Sequence, residues 1–351
     1  MKGYQFEDTQ GTFHLKKAEN ISYLYFPIAG EAGLKSSFTP NLGGDAKIDQ
    51  NTFLLEPVSA ENLVNNRNSR NFWCNVKGIG SWSLTGHSAE ELSKKFTEMQ
   101  DDSEVTAGFM WQKTTRESKK YQLRGEILSF IPVDKNVEIM LVTITNTGRM
   151  AQTVTPTAAI PLYGRSADNI RDHRHVTSLL HRIETTDTGV LVTPTLSFDE
   201  RGHQVNHMTY YCVGWSGNGE KPVDFYPTAE DFVGEGGNFE RPYAIVKNAE
   251  GVKAGTKIEG LEAVGGLHFS EITLEPEEEC SYLIFTGITE DIQEIRNLSK
   301  TYTTREKVLE ELEKTKAYWQ EKVNVAYHTG DSDFNQFMHW VSFQPILRRI
   351  Y

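Results

Sequence analysis

The spacing of hydrophobic and polar positions divides the sequence into two regions. From Tyr4 to about Ser299, short segments rich in Val, Ile, Thr, Tyr and Phe alternate with turns that contain Gly, Pro, Asn and Asp. Several segments alternate apolar and polar residues, as β-strands do. Strands at this density predict an antiparallel sandwich, with one short helix at 88–99. The clearest predicted strands are 20–27, 70–76, 121–132, 137–145, 189–195, 208–215, 266–274 and 280–287.

After residue 300 the hydrophobic period becomes that of a helix. The spacing predicts a helix over 303–323, because its apolar residues recur on one face. Thr303 and Glu306 are expected to form a capping box, and Glu310 and Lys314 an i,i+4 ion pair. The residues of the predicted apolar face are Val308, Leu309, Leu312, Trp319 and Val323.

A second helix is predicted to begin near Asp331 and to continue to Tyr351. It has no cap or turn at its end, and an apolar helix face needs partners, so we expect the sequence to be truncated from a larger protein. Trp340, Gln344 and Arg348 recur at i,i+4 spacing on one face of this helix. Its predicted apolar side consists of Phe334, Phe337, Met338, Val341 and Phe343.

Charge and cysteine use exclude several classes of protein. The 351 residues carry a formal net charge of −12, whereas sequence-independent nucleic-acid binding needs a broad basic face. No apolar run reaches the roughly 18 residues of a membrane span, and the first residues do not resemble a signal peptide. We therefore expect a cytoplasmic protein without nucleic-acid or membrane partners. Cys74, Cys212 and Cys280 are widely spaced in strand-like segments, which is typical of free buried thiols and not of disulfides or a metal site.

Residues 160–182, IPLYGRSADNIRDHRHVTSLLHR, form what we call the basic strip. Four arginines, three histidines and two aspartates occur in this single run, and such a mixture is too costly to bury unpaired. The strip is therefore expected on a surface, in a cleft or at an interface. Two interpretations stay open. The strip binds an anionic or hydroxyl-rich ligand, or it is a surface connection neutralised by Asp168/Arg171 and Asp172/Arg174 pairs.

Three further features each have a functional and a structural interpretation. Tryptophans in strands stack on sugar rings or pack in the core; these are Trp73, Trp82, Trp111 and Trp215. The run Asp199-Glu200-Arg201-Gly-His203 is an acid/base pair or an ion-paired turn. The glycine-rich residues 234–239 are expected to form a tight loop near the basic strip, with Glu235 or Arg241 as candidate ligand contacts.

Several long segments together resemble one enzyme family. These are YGRSADNIRDHRHVTSLLHR at 163–182, PTLSFDERGH at 194–203, DFVGEGGNFERP at 231–242 and FNQFMHWVSFQPILRRIY at 334–351. In this order they resemble glycoside hydrolase family 94, the inverting β-glucoside phosphorylases. Residues 37–59 and 69–76 are similar to the branch that contains the cellodextrin, laminaribiose and β-1,2-oligoglucan phosphorylases.

The resemblance implies a mainly β fold. Members begin with an antiparallel, galactose-mutarotase-like β-supersandwich and continue through linker helices into an (α/α)6 barrel that holds the active site. The sequence is then expected to comprise the sandwich at 1–299, a helical linker at 300–329, and the start of a truncated barrel at 330–351. The family's general acid is a barrel aspartate that no residue here matches, so we expect no catalytic residue and an inactive chain.

The resemblance also implies a function. Members reversibly phosphorolyse β-linked gluco-oligosaccharides to α-glucose 1-phosphate with inversion, with inorganic phosphate as co-substrate and no other cofactor or metal. The sandwich builds most of a homodimer interface, and one of its loops shapes the acceptor-sugar site. From position and chemistry we assign acceptor contact to five residues of the strip, Arg171, Asp172, His173, Arg174 and His175. Gln344 matches a glutamine of the first barrel helix, which indicates a place at the barrel mouth or in core packing.

Two alternative functions remain. The chain is a free-standing carbohydrate-binding or interaction module without chemistry, or it is a mutarotase-like enzyme. In the mutarotase hypothesis His173 or His175 acts with Glu200 as acid and base, since supersandwich folds also occur in mutarotases. A fold alone does not decide between these functions.

Overall fold

A computed structural model describes residues 3–21, 24–58, 69–199 and 202–351. The strands in the first part of the chain are β1 (Tyr4–Phe6), β2 (Phe13–Lys16), β3 (Phe26–Ala29), β4 (Lys35–Phe38), β5 (Ala46–Asp49), β6 (Thr52–Leu55), β7 (Asn71–Val76), β8 (Gly80–Ser83), β9 (Asp102–Gly108), β10 (Trp111–Ser118), β11 (Leu123–Phe130) and β12 (Val137–Asn146). The later strands are β13 (Gln152–Leu162), β14 (Arg182–Thr185), β15 (Gly189–Val192), β16 (Leu196–Asp199), β17 (Gly202–Val205), β18 (Thr209–Ser216), β19 (Asp224–Thr228), β20 (Lys257–Glu259), β21 (Ala263–His268), β22 (Ile272–Leu274) and β23 (Glu279–Thr289). The α-helices are α1 (Ala89–Ser93), α2 (Arg174–Ser178), α3 (Ala229–Val233), α4 (Tyr243–Lys247), α5 (Ile292–Thr301), α6 (Arg305–Lys322) and α7 (Ser332–Ile350), and short 3-10 helices occupy Ala18–Asn20 and Ala167–Arg171.

Three sheets build the sandwich. The largest has eleven strands in the order β1-β2-β9-β10-β11-β12-β23-β18-β15-β14-β20. Its inner face packs against a six-stranded sheet, in which β22 pairs with β13 beside the path β19-β21-β13-β7-β8, and against the small sheet β3-β4-β5-β6. The ladders between these strands are antiparallel. The mainly β, antiparallel sandwich expected from the sequence is confirmed.

The central strands are apolar on both faces because both faces of the large sheet are covered. In β12, Met140, Val142 and Ile144 enter the core between the sheets, whereas Ile139 and Leu141 point to the outer face. On that outer face α5 and α6 cover the sheet with Ile295, Leu298, Tyr302, Val308 and Leu312. Burial of these side chains contributes roughly 1.5–3 kcal/mol each. The sandwich is thus closed on its outer side by the helices that follow the last strand.

Several predicted elements need correction. The helix expected at 88–99 is the shorter α1, where the Ser88 hydroxyl accepts from the Glu91 amide at 3.1 Å; it stops before Phe96, whose φ is +65°. The strand expected at 266–274 is two strands, β21 and β22, and the strand expected at 20–27 begins only at Phe26 within the described residues. Helix α5 spans the expected boundary at residue 299, where no helix was predicted. The domain limits themselves stay a prediction.

Helix α6 confirms the predicted apolar face but not the predicted polar pairs. Val308, Leu312 and Trp319 are buried. Its N-cap is Thr304, whose side chain makes no capping hydrogen bond, in place of a capping box from Thr303. The ion pairs within the helix join Lys307 to Glu310, Lys314 to Glu311 and Lys316 to Glu313, at i,i+3 spacing.

Helix α7 is rotated relative to the predicted apolar side. Phe343 is buried, but Phe334, Phe337 and Val341 are exposed. The rotation follows from two hydrogen bonds to Gly11. Gln336 Oε1 accepts from the Gly11 amide at 2.9 Å, and Trp340 Nε1 donates to the Gly11 carbonyl at 2.7 Å.

One buried ion pair joins the three sheets. The Arg70 and Glu138 side chains are fully buried, with Arg70 Nε 2.6 Å from Glu138 Oε1 and Arg70 Nη2 3.1 Å from Oε2. Ser36 of β4 donates to the same carboxylate at 2.6 Å. Arg70 Nη1 donates to the Gly44 carbonyl at 2.9 Å, and its guanidinium lies 4.3 Å from the centre of the Phe38 ring. The carboxylate and the guanidinium are therefore both well supplied with partners in the interior.

Two histidines lie buried in connections between the sheets. His181 precedes β14, and its Nδ1 is 3.2 Å from the Leu261 carbonyl. Burial, together with the charge of Arg165, lowers the pKa of His181 to about 3. His87 follows β8, where burial and then the charge of Arg116 lower its pKa to about 4. Both rings are therefore neutral in the folded protein at neutral pH.

Replacing Glu138 with Ala is expected to destabilise the fold by about 3–5 kcal/mol, because it leaves the Arg70 charge buried without its partner. Urea unfolding followed by circular dichroism measures this loss. The control is Glu271→Ala, which breaks the exposed Lys77–Glu271 pair and should cost at most about 1 kcal/mol. Equal losses in the two variants would show that the buried pair does not hold the sheets together.

Stability is also expected to fall between pH 7 and pH 5, because His181 takes up a proton near pH 6.5 when unfolded but only near pH 3 when folded. Stability from the neutral ring is complete above about pH 6.5 and is lost as the pH decreases. His181→Gln removes this pH-dependent contribution. Between pH 7 and pH 5 the free energy of unfolding of the variant should therefore fall by about 2 kcal/mol less than that of the wild type. Exposed His175, changed to Gln, is the matched control, and parallel profiles for wild type and His181→Gln would contradict the assignment.

Candidate functional site

The basic strip connects the six-stranded sheet to the large sheet. It leaves β13 through Gly164, whose φ is +60°, and reaches β14 through the 3-10 helix Ala167–Arg171 and α2. The Phe53 amide donates to the Arg165 carbonyl at 3.0 Å, which fixes the start of the strip against β6. Asn169 Nδ2 donates to Asp172 Oδ2 at 2.8 Å and stabilises the turn between the two short helices.

The strip separates its charged residues into an inner and an outer set. Arg165 and His181 are buried and Arg174 is half-buried, whereas Arg171, Asp172, His173 and His175 are exposed. Of the five residues assigned to acceptor contact, four are therefore exposed on one short segment. Arg174 is the exception, since its side chain turns inward.

The inner set forms an ion-pair network with remote glutamates. Arg165 Nη2 lies 2.7 Å from Glu262 Oε1, Arg174 Nη1 lies 3.7 Å from Glu262 Oε2, and Arg174 Nη2 donates to Glu56. Burial acts to lower the pKa of Arg174, but the hydrogen bond and charge of Glu56 and the charge of Glu262 raise it overall. Arg174 therefore pairs with Glu56 and Glu262, and not with Asp172 as the surface-connection hypothesis expected.

The space around this network is too small for a ligand. Glu56, Tyr163, Arg174, Phe239 and Glu262 line a void of about 20 Å³, which is room for roughly one water molecule. Burial raises the pKa of the Tyr163 phenol, so this group is a neutral donor at neutral pH. The network therefore anchors the strip and leaves no room for a ligand beside Arg174.

The outer set combines hydrogen-bonding and apolar groups. The His173 and His175 rings lie 5.4 Å apart between centroids, tilted by 31°. Val176 and Leu179 are exposed on the same short helix and its end. Sequence inspection missed these two residues, although exposed apolar side chains between cations are a signal of a binding surface. Hydroxyl groups and the apolar face of a sugar ring would both find partners on such a patch.

The other sequence candidates are located as follows. Trp73, Trp82 and Trp215 are buried in the core, and Trp111 is half-buried beneath Lys316, whose Nζ is 4.5 Å from the ring centre. Glu200 and Arg201 lie outside the described residues, so the proposed acid/base pair has no structural description. Phe239 of the glycine-rich loop lines the void beside Arg174, as expected, while Glu235 and Arg241 are exposed.

Gln344 is exposed on α7, with Nε2 3.5 Å from the Trp340 carbonyl. Within the described ranges, no group of three or more His, Cys, Asp and Glu residues is placed to hold a metal ion. The three cysteines are free thiols; Cys74 and Cys212 are buried and Cys280 is half-buried. Among the helices of the described part, none is both long and apolar enough to cross a membrane.

Comparison with solved structures finds similar proteins at low identity. A protein described as a kojibiose phosphorylase from the human microbiome aligns with 96% of this chain and 41% of its own, with 9% identity and a TM-score of 0.47. A bacterial glucoamylase complexed with acarbose aligns with 96% of this chain and 41% of its own, with 10% identity and a TM-score of 0.44. A protein described as an aldose 1-epimerase from Escherichia coli K12 aligns with 76% of this chain and 99% of its own, with 10% identity and a TM-score of 0.40.

The chain spans about two fifths of the length of the first two of these proteins. No curated protein sequence matches it. The family model described as the supersandwich domain of glycosyl hydrolase 94 matches residues 55–305, which is more than half of the chain and includes the basic strip. The chain therefore belongs to glycoside hydrolase family 94 and contains its supersandwich domain.

Proposed function

We propose that this chain is the sandwich part of an inverting phosphorylase that cleaves β-linked gluco-oligosaccharides to α-glucose 1-phosphate. The observation that carries the proposal is the exposed patch of Arg171, His173 and His175 on an anchored loop, in a chain of family 94. The patch supplies donors for the hydroxyl groups of an acceptor sugar. Within the family we favour the branch of cellodextrin, laminaribiose and β-1,2-oligoglucan phosphorylases.

In the proposed reaction an oxygen of inorganic phosphate attacks the anomeric carbon from the face opposite the glycosidic oxygen. The bond from the anomeric carbon to that oxygen breaks, and a carboxylic acid gives its proton to the leaving oxygen. Inversion converts the β-glycoside into the α-phosphate. We assign no catalytic role to any residue of this sequence, because the acid belongs to the helical barrel of the family's enzymes, and we propose no cofactor besides the phosphate co-substrate.

Seven residues of the strip have one of three parts in this proposal. Arg171, Asp172, His173 and His175 contact the acceptor sugar, since charged and imidazole groups make strong hydrogen bonds to hydroxyls. Val176 and Leu179 cover an apolar face of the ring. Arg174 positions the strip through Glu56 and Glu262. We further propose a homodimer that brings this loop towards the acceptor end of an active site, and we keep Gln344 as a barrel-mouth residue.

The test is phosphorolysis by the full-length protein that carries this chain, with inorganic phosphate and a panel of β-linked glucose disaccharides. His173→Ala, His175→Ala and Arg171→Ala are each expected to raise the KM for the disaccharide about threefold to tenfold, the effect of one lost hydrogen bond. Because these side chains are exposed, the melting temperature should not change. His328→Ala, on another exposed histidine, is the matched control and should leave KM unchanged.

Other outcomes would contradict this proposal in distinguishable ways. Oligosaccharide binding without release of α-glucose 1-phosphate would favour a binding module. Accelerated anomer exchange that is lost in His173→Ala would favour a mutarotase-like enzyme. Unchanged KM in all three strip variants, with normal phosphorolysis, would remove the strip from the acceptor site while leaving the enzyme class in place. Light scattering of the purified protein tests the homodimer separately.

A further inference from the structure

A second polar site lies around Arg116 of β10, next to Asn41 in the loop after β4. Its side chain is 1% exposed, and burial lowers the pKa of this guanidinium. Nη2 donates to Asn41 Oδ1 at 3.2 Å and to the Thr85 carbonyl at 3.3 Å. Nε and Nη1 are buried without a hydrogen-bond partner. A buried arginine with unpaired N–H groups is costly to the fold unless something else accepts from it.

These N–H groups belong to a cleft that opens to the surface. Its floor is formed by Thr39, His87, Glu91 and Arg116, and its rim by Glu19, Leu92, Lys95 and Gln100. We call it the Arg116 cleft. Its void is about 50 Å³, which is room for a few water-sized groups and so for the hydroxyl-bearing edge of a ligand.

The absence of a side chain at Gly86 makes room for the guanidinium. Gly86 has φ +78°, and a Cβ at this position would lie 2.6 Å from Arg116 Cζ. No residue with a side chain fits there unless Arg116 moves. The loop after β8 therefore leaves room for the arginine at the floor of the cleft.

The nearest carboxylate does not neutralise Arg116 by direct contact. Glu91 Oε1 lies 3.6 Å from Arg116 Nη1, beyond hydrogen-bond distance, while it accepts from the Asp101 amide at 2.7 Å. Burial and the charge of Asp101 raise the pKa of Glu91. An oxygen placed between the two side chains could accept from Arg116 and donate its own proton to Glu91. A hydroxyl group has this combination of acceptor and donor.

The charges around the cleft favour a neutral ligand over an anion. Among the lining residues, two cations, Arg116 and Lys95, face two carboxylates, Glu19 and Glu91. Lys94, 3.6 Å from Glu91, and Asp101 add one further charge of each sign. His87 adds no charge near neutral pH, because its pKa is about 4. A phosphate group would be attracted by the cations but would approach two carboxylates in a partly buried place. Paired donors and acceptors without net charge suit a polyol.

We propose that the Arg116 cleft binds a neutral polyhydroxylated ligand, with adjacent hydroxyls of a sugar ring between Arg116 and Glu91. This site shares no lining residue with the void beneath the basic strip. It does not depend on the phosphorolysis proposed above, and the free monosaccharide and the terminal unit of a longer saccharide offer it the same chemistry.

Saturation-transfer NMR and calorimetry on the 351-residue chain test the site with glucose, glycerol, cellobiose and inorganic phosphate as probes. The decisive variant is Leu92→Trp, which is designed to fill the mouth from an exposed rim position and leaves Arg116 itself unaltered. It should weaken sugar binding at least about tenfold with an unchanged melting temperature. Met150→Trp is the matched control, because Met150 is exposed in the turn after β12, outside the residues that line the cleft. That control should bind as the wild type does.

Arg116→Met and Asn41→Ala are expected to reduce binding as well, and Leu92→Trp keeps the proposal testable where Arg116→Met does not fold. His173→Ala is expected to weaken only sugar binding at the basic strip, so the glucose binding that His173→Ala leaves in place and Leu92→Trp weakens belongs to the Arg116 cleft. Lys253→Ala, exposed and outside the lining of both sites, should leave both kinds of binding unchanged. Three results would each overturn the proposal. These are no saturable binding of any polyol, tighter binding of phosphate than of glucose, and equal glucose affinity in wild type and Leu92→Trp.

Discussion

The buried contact between Arg70 and Glu138 is the constraint on which the arrangement of the sheets depends. Two charges removed from water are tolerated only when nearly every donor and acceptor finds a partner. Here the partners come from all three sheets: Arg70 precedes β7, Glu138 lies in β12, and Ser36 lies in β4. A shift of any one sheet would leave a buried charge incompletely bonded. The pair therefore selects one arrangement of the sandwich, whatever its net contribution to the free energy of unfolding.

Both polar sites use the small sheet that this pair fixes. Glu56, just after β6, holds Arg174 of the basic strip, and Asn41, just after β4, accepts from Arg116. The same sheet receives the end of α7, where the Tyr351 hydroxyl donates to the Ser36 carbonyl at 2.6 Å. The loops that follow strands of this small sheet thus fix Arg174 and Arg116, at two separate surfaces, relative to the buried Arg70–Glu138 pair. Short strands serve this purpose because their loops leave the sheet close to the buried pair.

Local sequence patterns predicted the elements whose conformation depends mainly on residues that are close together in the chain. Strand β12 was recognisable because it is a run of mostly apolar, β-branched and long aliphatic residues that covers both faces of the strand. Helix α6 was recognisable because Val308, Leu312 and Trp319 recur on one face. The rotation of α7 was not predictable, since it depends on a hydrogen bond that Gly11 donates to Gln336 and one that it accepts from Trp340, more than 300 positions away in the chain. Nor was the inward turn of Arg174, whose partners Glu56 and Glu262 are also distant in the chain. The basic strip was found by composition, whereas the Arg116 cleft has no sequence signal, because its residues come from five separate segments.

Arginine and glutamate therefore have different roles at the two sites: at the strip they anchor the chain, and in the Arg116 cleft they are proposed to bind a ligand. The distance between the opposite charges determines the role. At the strip, Arg165 and Arg174 each contact a carboxylate directly, the remaining void holds about one water, and the pairs act as an anchor for exposed neighbours. In the Arg116 cleft the carboxylate stands 3.6 Å away and the void is larger, about 50 Å³. At the strip the charges are paired directly, and the void beside them has no room for a ligand. A separated pair keeps both its donor and its acceptor available, so a ligand that supplies one of each completes the contact that the fold leaves open.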